Sequence, residues 1–220
     1  MERNNKLKDS LLSFFHNLFD LIVINWLWIL CCLPIITIGP ATCAMYHVTL
    51  RLARAEPVNP VRDFFGALKS NFKAGLVLSL ICGLLLAAAA GDAWFATLNE
   101  GWIQTLYLVI AIIIGVVGMI FLAYTFALQA MFDSPVKIQI LNAFKLAAVA
   151  PGKTIQLWLI LSIPVLAALL LPPVALQMLG FLYLVAGFSG PAYGASRILR
   201  NIFDRVNGAP VQVEPPTTED

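Results

Sequence analysis

Asn25-Trp-Leu-Trp-Ile-Leu-Cys-Cys-Leu-Pro-Ile-Ile-Thr-Ile-Gly-Pro-Ala-Thr42 decides how this chain is read. The run is too rich in bulky apolar side chains for a helix that faces water. Taken from Leu18 to Ile38, the span has about 20 residues, or about 30 Å of helix, enough for one bilayer crossing. Pro34 removes a backbone hydrogen bond and kinks the span. Gly39-Pro40 ends or bends it. A second Gly-Pro-Ala stands at Gly190-Pro191-Ala192, inside the last apolar run.

Composition agrees with a bilayer protein. Of 220 residues, 60% are hydrophobic and 12% charged, against about 45–50% and about 25% in soluble domains. The net charge of +2 includes no dense basic block, which argues against nucleic acid as a partner. Cys31, Cys32, Cys43 and Cys82 lie in or beside apolar runs and read as small buried hydrophobes, not metal ligands. Arg3, Lys6 and Lys8 precede an apolar run without a clean small-x-small site, so the first span reads as a retained anchor.

Outward from the opening stretch, residues 41–55 continue as a helix that turns basic at Arg51 and Arg54. Val61 to Lys73 is amphipathic: Phe64, Leu68 and Phe72 repeat at i, i+4, i+8, with Phe65 beside them and Lys69 and Lys73 on the polar side. This helix suits the interface plane, with Phe64, Phe65, Lys69, Phe72 and Lys73 as its interfacial residues. Further spans are expected over 74–90, 103–130, 154–171 and 174–198. Asp92, Asn99 and Glu100 form an acidic loop with Trp94, Phe95 and Trp102 at its edges, and Asp133-Ser-Pro135 caps a second amphipathic helix up to Pro151. Residues 1–205 form one membrane domain, and 206–220 a disordered acidic tail. The fold class is all-α: a polytopic membrane helix bundle with about five transmembrane helices and two short interfacial amphipathic helices.

Basic residues crowd the 51–73 and 132–153 loops and the C-terminal flank, whereas the 91–102 loop has none. The positive-inside rule therefore places these loops and the C-terminus in the cytoplasm. Five crossings put the N-terminus outside, against Arg3, Lys6 and Lys8. A hairpin turning at Gly39-Pro40 makes six and returns it inside. A weak repeat pairs Ala67-Leu68-Lys69 with Ala143-Phe144-Lys145, and each Gly-Pro-Ala precedes arginines. Matched Gly/Pro interruptions can mark a transporter-like site.

Residues 25–42, then Met45-Tyr46, Asp63-Phe64-Phe65 and Lys69-Ser-Asn-Phe-Lys73, resemble the YesL-like family of bacterial integral membrane proteins, a domain of unknown function. The resemblance is specific over residues 14–75; beyond it only apolar spans and the final Gly-Pro-Ala agree. It implies no catalytic residue. It does imply an accessory role near carbohydrate uptake, with a sugar transporter subunit as partner.

The chain offers no catalytic, metal or cofactor constellation: no Ser-His-Asp order, paired carboxylates in a cleft, P-loop or dinucleotide turn. His16 and His47 are its only histidines. The candidate site is a polar cavity or helix break formed by Asn25, Pro34, Thr37, Gly39, Pro40, Thr42, Tyr46, Gly190 and Pro191. Freed backbone groups there need partners from protein or water. The expectation is a non-enzymatic protein of the bacterial cytoplasmic membrane that assists carbohydrate uptake; the alternative is a small-solute carrier or channel in its own right.

Overall fold

A computed structural model describes residues 2–132, 134–170, 172, 177 and 180–206. The described residues are almost all helical. Helix α1 runs unbroken over Glu2–Cys32. After a 3₁₀ turn at Ile35–Thr37 come α2 (Ile38–Ala53), α3 (Pro60–Ser70), α4 (Phe72–Thr97) and α5 (Trp102–Met131). Then follow α6 (Val136–Val149), α7 (Pro151–Leu170), a π-helical turn at Tyr183–Gly187 and α8 (Ser189–Val206). An all-α membrane bundle is what the apolar patterning requires. Among the described residues α1, α4 and α5 are each long and apolar enough to cross a bilayer. A fourth span arises if α6 and α7, bent by 109° at their junction, count as one.

The first crossing is built differently from expectation. The first span stops at Cys32, because the residue before a proline is pushed out of the helical region. Thr37 N–H closes a turn onto the Pro34 carbonyl at 2.9 Å. Gly39-Pro40 ends no helix; it occupies the second and third positions of α2. Gly190-Pro191 holds the same two positions of α8. Proline costs little there, because first-turn N–H groups have no intrahelical acceptor.

Helix α2 is the core of the molecule: twelve of its 16 residues are buried. Its start crosses α4 at backbone contact. A methyl group added to Gly39 would stand 2.1 Å from the Gly75 carbonyl oxygen, and one added to Gly75 would stand 2.6 Å from Pro40 N. Two turns later His47 Nδ1 lies 3.0 Å from the carbonyl of Ala130, at the end of α5. Gln129 in turn reaches Asn71, just before α4, at 3.2 Å. Helix α2 thus runs antiparallel to α4 from its second turn down past its first residue.

Trp28 Nε1–H donates to Thr42 Oγ1 at 3.2 Å, closing α1 against α2, and α1 also packs on α3. The two helices therefore form a hairpin whose open end lies where α4 begins and α5 ends. Its tip crosses α4 near Gly75 and Ser79, about 5–10 Å along a helix of 26 residues. The N-terminus and the basic segments share one end of the bundle, as in the six-crossing alternative. The turn itself lies at 33–37, upstream of Gly39-Pro40.

Smaller revisions follow from local chemistry. Asp92 lies within α4, which continues to Thr97, so the opposite turn is only Leu98–Gly101. Gly101 enters α5 at φ 70, a left-handed conformation suited to glycine. The N-cap of α6 is Pro135, without a side-chain bond; Asp133 lies outside the described residues. Pro151-Gly152 opens α7 as well as closing α6. Much of the expected 174–198 span lies outside the described residues. Its remainder is the π-turn followed by α8. The expected tail also lies outside them beyond Val206.

Candidate functional site

Two constellations stand out, one at the helix breaks and one at the basic end. The first is built on Asn25. It sits on the inner face of α1, fully buried beside Ile24. Facing it, Ala186 leaves helical geometry at φ −155, ψ 20, so carbonyls before it and N–H groups after it lose their partners. Asn25 bonds four backbone groups around this break. Its Nδ2 donates to the carbonyls of Tyr183 and Leu184, each at 3.0 Å. Its Oδ1 accepts from Phe188 N–H at 3.0 Å and Ser189 N–H at 3.1 Å. An amide has two donors and two good acceptor positions, so its capacity is spent on backbone. Ser189 Oγ adds a bond to the Leu21 carbonyl at 2.8 Å.

The other predicted residues of this site cluster around that bond set. Trp28 stacks on Phe188 with ring centroids 4.5 Å apart, bringing the hairpin turn beside the π-turn. Pro34 lies in the turn. Thr37 Oγ1 donates to the Cys31 and Pro34 carbonyls, and Thr42 Oγ1 donates to Ile38 O at 2.7 Å while accepting from Trp28. Gly39 and Pro40 form the contact with Gly75. Tyr46 is buried deeper along α2. Gly190 and Pro191 start α8 just after the break instead of forming it. The hydroxyl and amide groups of Asn25, Thr37 and Thr42 are thus all engaged within the protein.

The second constellation lies at the basic end. Arg51 ties α2 to α3: Nε donates to Glu56 at 3.1 Å, Nη1 to Asp63 at 2.8 Å and Nη2 to the Pro57 carbonyl at 2.9 Å. Arg54 pairs with Asp204 at 2.7 Å, and Arg200 donates to the Ala53 carbonyl, which joins the ends of α2 and α8. Thr49 and Ser196 share a buried hydroxyl bond of 2.9 Å one turn earlier. Helices α2 and α8 therefore run parallel, each opened by Gly-Pro-Ala and each held by arginines near its end. A cleft of about 230 Å³ lies beside His47, Arg51, Arg54 and Glu56. The His47 nitrogen that faces Ala130 O must carry the proton, since a carbonyl only accepts.

Of the predicted interfacial residues, Phe64 turns inward and is fully buried. Phe65, Lys69, Phe72 and Lys73 are exposed and line a concavity at the α3–α4 junction. Asn59 was not singled out from sequence, yet it begins α3: its Oδ1 accepts from Arg62 N–H at 3.1 Å, with Pro60 in the first helical position. That Asn-Pro pair is a legible helix start. The ion pairs of Arg51 carried no such signal, because Asp63 is twelve positions away and only the α2–α3 turn brings it back. No group of three or more His, Cys, Asp or Glu able to hold a metal occurs among the described residues.

Residues 21–93 match the family described as "Protein of unknown function, DUF624". This stretch contains the last part of α1, all of α2 and α3, and most of α4. No curated protein and no solved structure matches the chain.

Proposed function

We propose that this chain, a DUF624-family protein over residues 21–93, is a non-enzymatic accessory protein of the bacterial cytoplasmic membrane. Its basic end and C-terminus face the cytoplasm. Asn25 carries this reading. It is the most deeply buried amide near a helix break, and four backbone groups consume it. A binding site inside the membrane needs polar groups with capacity to spare, and here that capacity is used to join α1 to α8. The surface this reading assigns to a partner is that of α3 and α6 with the lysines they carry. The positive-inside bias supports the orientation. Following the family resemblance, the partner is the membrane subunit of a carbohydrate uptake system.

A second reading, a small-solute carrier, draws on one observation. Two discontinuous helices, broken at 33–37 and 183–188, meet through Asn25 and the Trp28–Phe188 stack. Paired broken helices are a recurrent transporter architecture. Gentle extraction from the native membrane separates the two readings. Co-purification of a transporter subunit in fixed stoichiometry supports the accessory role. Recovery alone, together with solute flux in liposomes, supports the carrier.

A further inference from the structure

The α3–α4 junction holds a concavity of about 800 Å³ walled by Phe65, Leu68 and Phe72 and rimmed by Lys69, Ser70 and Lys73. Phe65 and Phe72 are 47% and 40% exposed. Neither lysine forms an ion pair among the described residues, whereas Arg51 and Arg54 on the adjoining helix are paired. The turn between α3 and α4 also leaves positive backbone uncovered. Asn71 occupies the N-cap of α4 but makes no capping bond. It is buried, donating to the Ala67 carbonyl at 3.1 Å and accepting from Gln129. The first turn of α4 therefore lacks a capping bond from Asn71, at the positive end of a 26-residue helix whose second residue is Lys73.

We propose that this concavity seats the phosphodiester headgroup of an anionic phospholipid from the surrounding bilayer. Three features fit that occupant together. Helix α4 is long and apolar enough to cross a bilayer, which puts its first turn at headgroup depth. The two ammonium groups and the open helix end match a single phosphate charge. The phenylalanine and leucine walls match the glycerol and first acyl carbons, which a water-soluble anion lacks. The seat is specific to one corner of the bundle, distinct from a general preference of the basic end for anionic lipid.

The full-length protein, purified in mild detergent, is incubated with equal amounts of dioleoylphosphatidylglycerol and dioleoylphosphatidylcholine, and retained lipid is counted by native mass spectrometry. Wild type is expected to retain phosphatidylglycerol preferentially. Lys69→Gln and Lys73→Gln each lower that preference about fivefold, as for a basic residue near an anionic headgroup. Lys69→Arg with Lys73→Arg preserves it, which guards against loss through misfolding. The pair Lys137→Gln and Lys145→Gln on α6 leaves it intact. Unchanged retention in the Lys69/Lys73 glutamine variants, or an equal loss on changing Lys137 and Lys145, overturns the seat. Displacement of the lipid by millimolar inorganic phosphate overturns the lipid as occupant.

Discussion

At Asn25 one side chain does the work of a missing helical turn. Without it, two carbonyls and two N–H groups around Ala186 would lose their bonds to α1, three of them part-buried and one buried. Each unsatisfied buried group costs about 1–3 kcal/mol. Asn25→Leu keeps the volume and removes every bond. It is expected to lower stability by roughly 2–4 kcal/mol, allowing for partial rescue by local rearrangement. Chemical unfolding in detergent measures this. An unshifted midpoint would mean the π-turn closes its own bonds. A second residue argues the opposite sign. Ala55 sits at φ 55 after α2, with Glu56 N–H on Arg51 O and Ala55 N–H on Leu52 O, each at 3.0 Å. This is a glycine-type helix cap occupied by alanine. Ala55→Gly is expected to raise stability by about 0.5–1 kcal/mol, since the left-handed strain it relieves exceeds the entropy glycine loses. Asn25 was legible as a polar residue at membrane depth. Its partners were not, because no local pattern links position 25 to a kink near 186.

Helix α2 shows where reading by element succeeds and where it slips. Its apolar run and its basic end are plain in the sequence. The slip lies in Gly-Pro, which marks a discontinuity without saying on which side the helix stands. In both copies the break precedes the dipeptide by several residues, and proline then sits harmlessly in the first turn. What makes glycine necessary at 39 is the facing helix. Gly39→Ala would drive a methyl group into the Gly75 carbonyl, a backbone atom that cannot rotate away. The expected loss is about 1–3 kcal/mol through overpacking. Gly66→Ala on α3 meets nothing within 4 Å and is expected to be neutral or stabilising by up to about 1 kcal/mol. Comparing the two thermal midpoints isolates the contact from helix propensity. Equal effects would show that the helices are not pressed together at this crossing. The amphipathic α3 was legible from its period. The burial of Phe64 was not, because α2 covers a residue that the period alone assigns to the lipid face.

For the whole molecule, the hairpin reconciles two charge signals that five crossings set against each other. Arg3, Lys6 and Lys8 belong to the helix whose start lies at the end shared by Arg51, Lys73 and Lys153. Helix α2 is nearly as apolar as a span, but its 16 residues reach only about 24 Å. Composition therefore could not say whether it crosses, returns or lies flat. The contacts with Gly75 and Ala130 decide that it returns. Reporter fusions test the outcome in cells. Tags at the N-terminus and after Val206 are both expected to report the cytoplasm, and one within Leu98–Gly101 the opposite side. Opposite readings from the two terminal tags would refute the hairpin.

The bonds of Asn25 span 158 to 164 positions of sequence, which has a consequence for biosynthesis. A ribosome adding about 5–20 residues per second needs roughly 8–30 s to travel that far. Throughout this interval the first helix is already made while its amide waits for the last helix to emerge. Completion of the C-terminal segment thus acts as a checkpoint on the N-terminal one. Chains stopped before residue 183 are expected to be cleared rapidly by membrane proteases, while chains stopped after Val206 persist. Pulse-chase half-lives of the two truncations would read that difference directly.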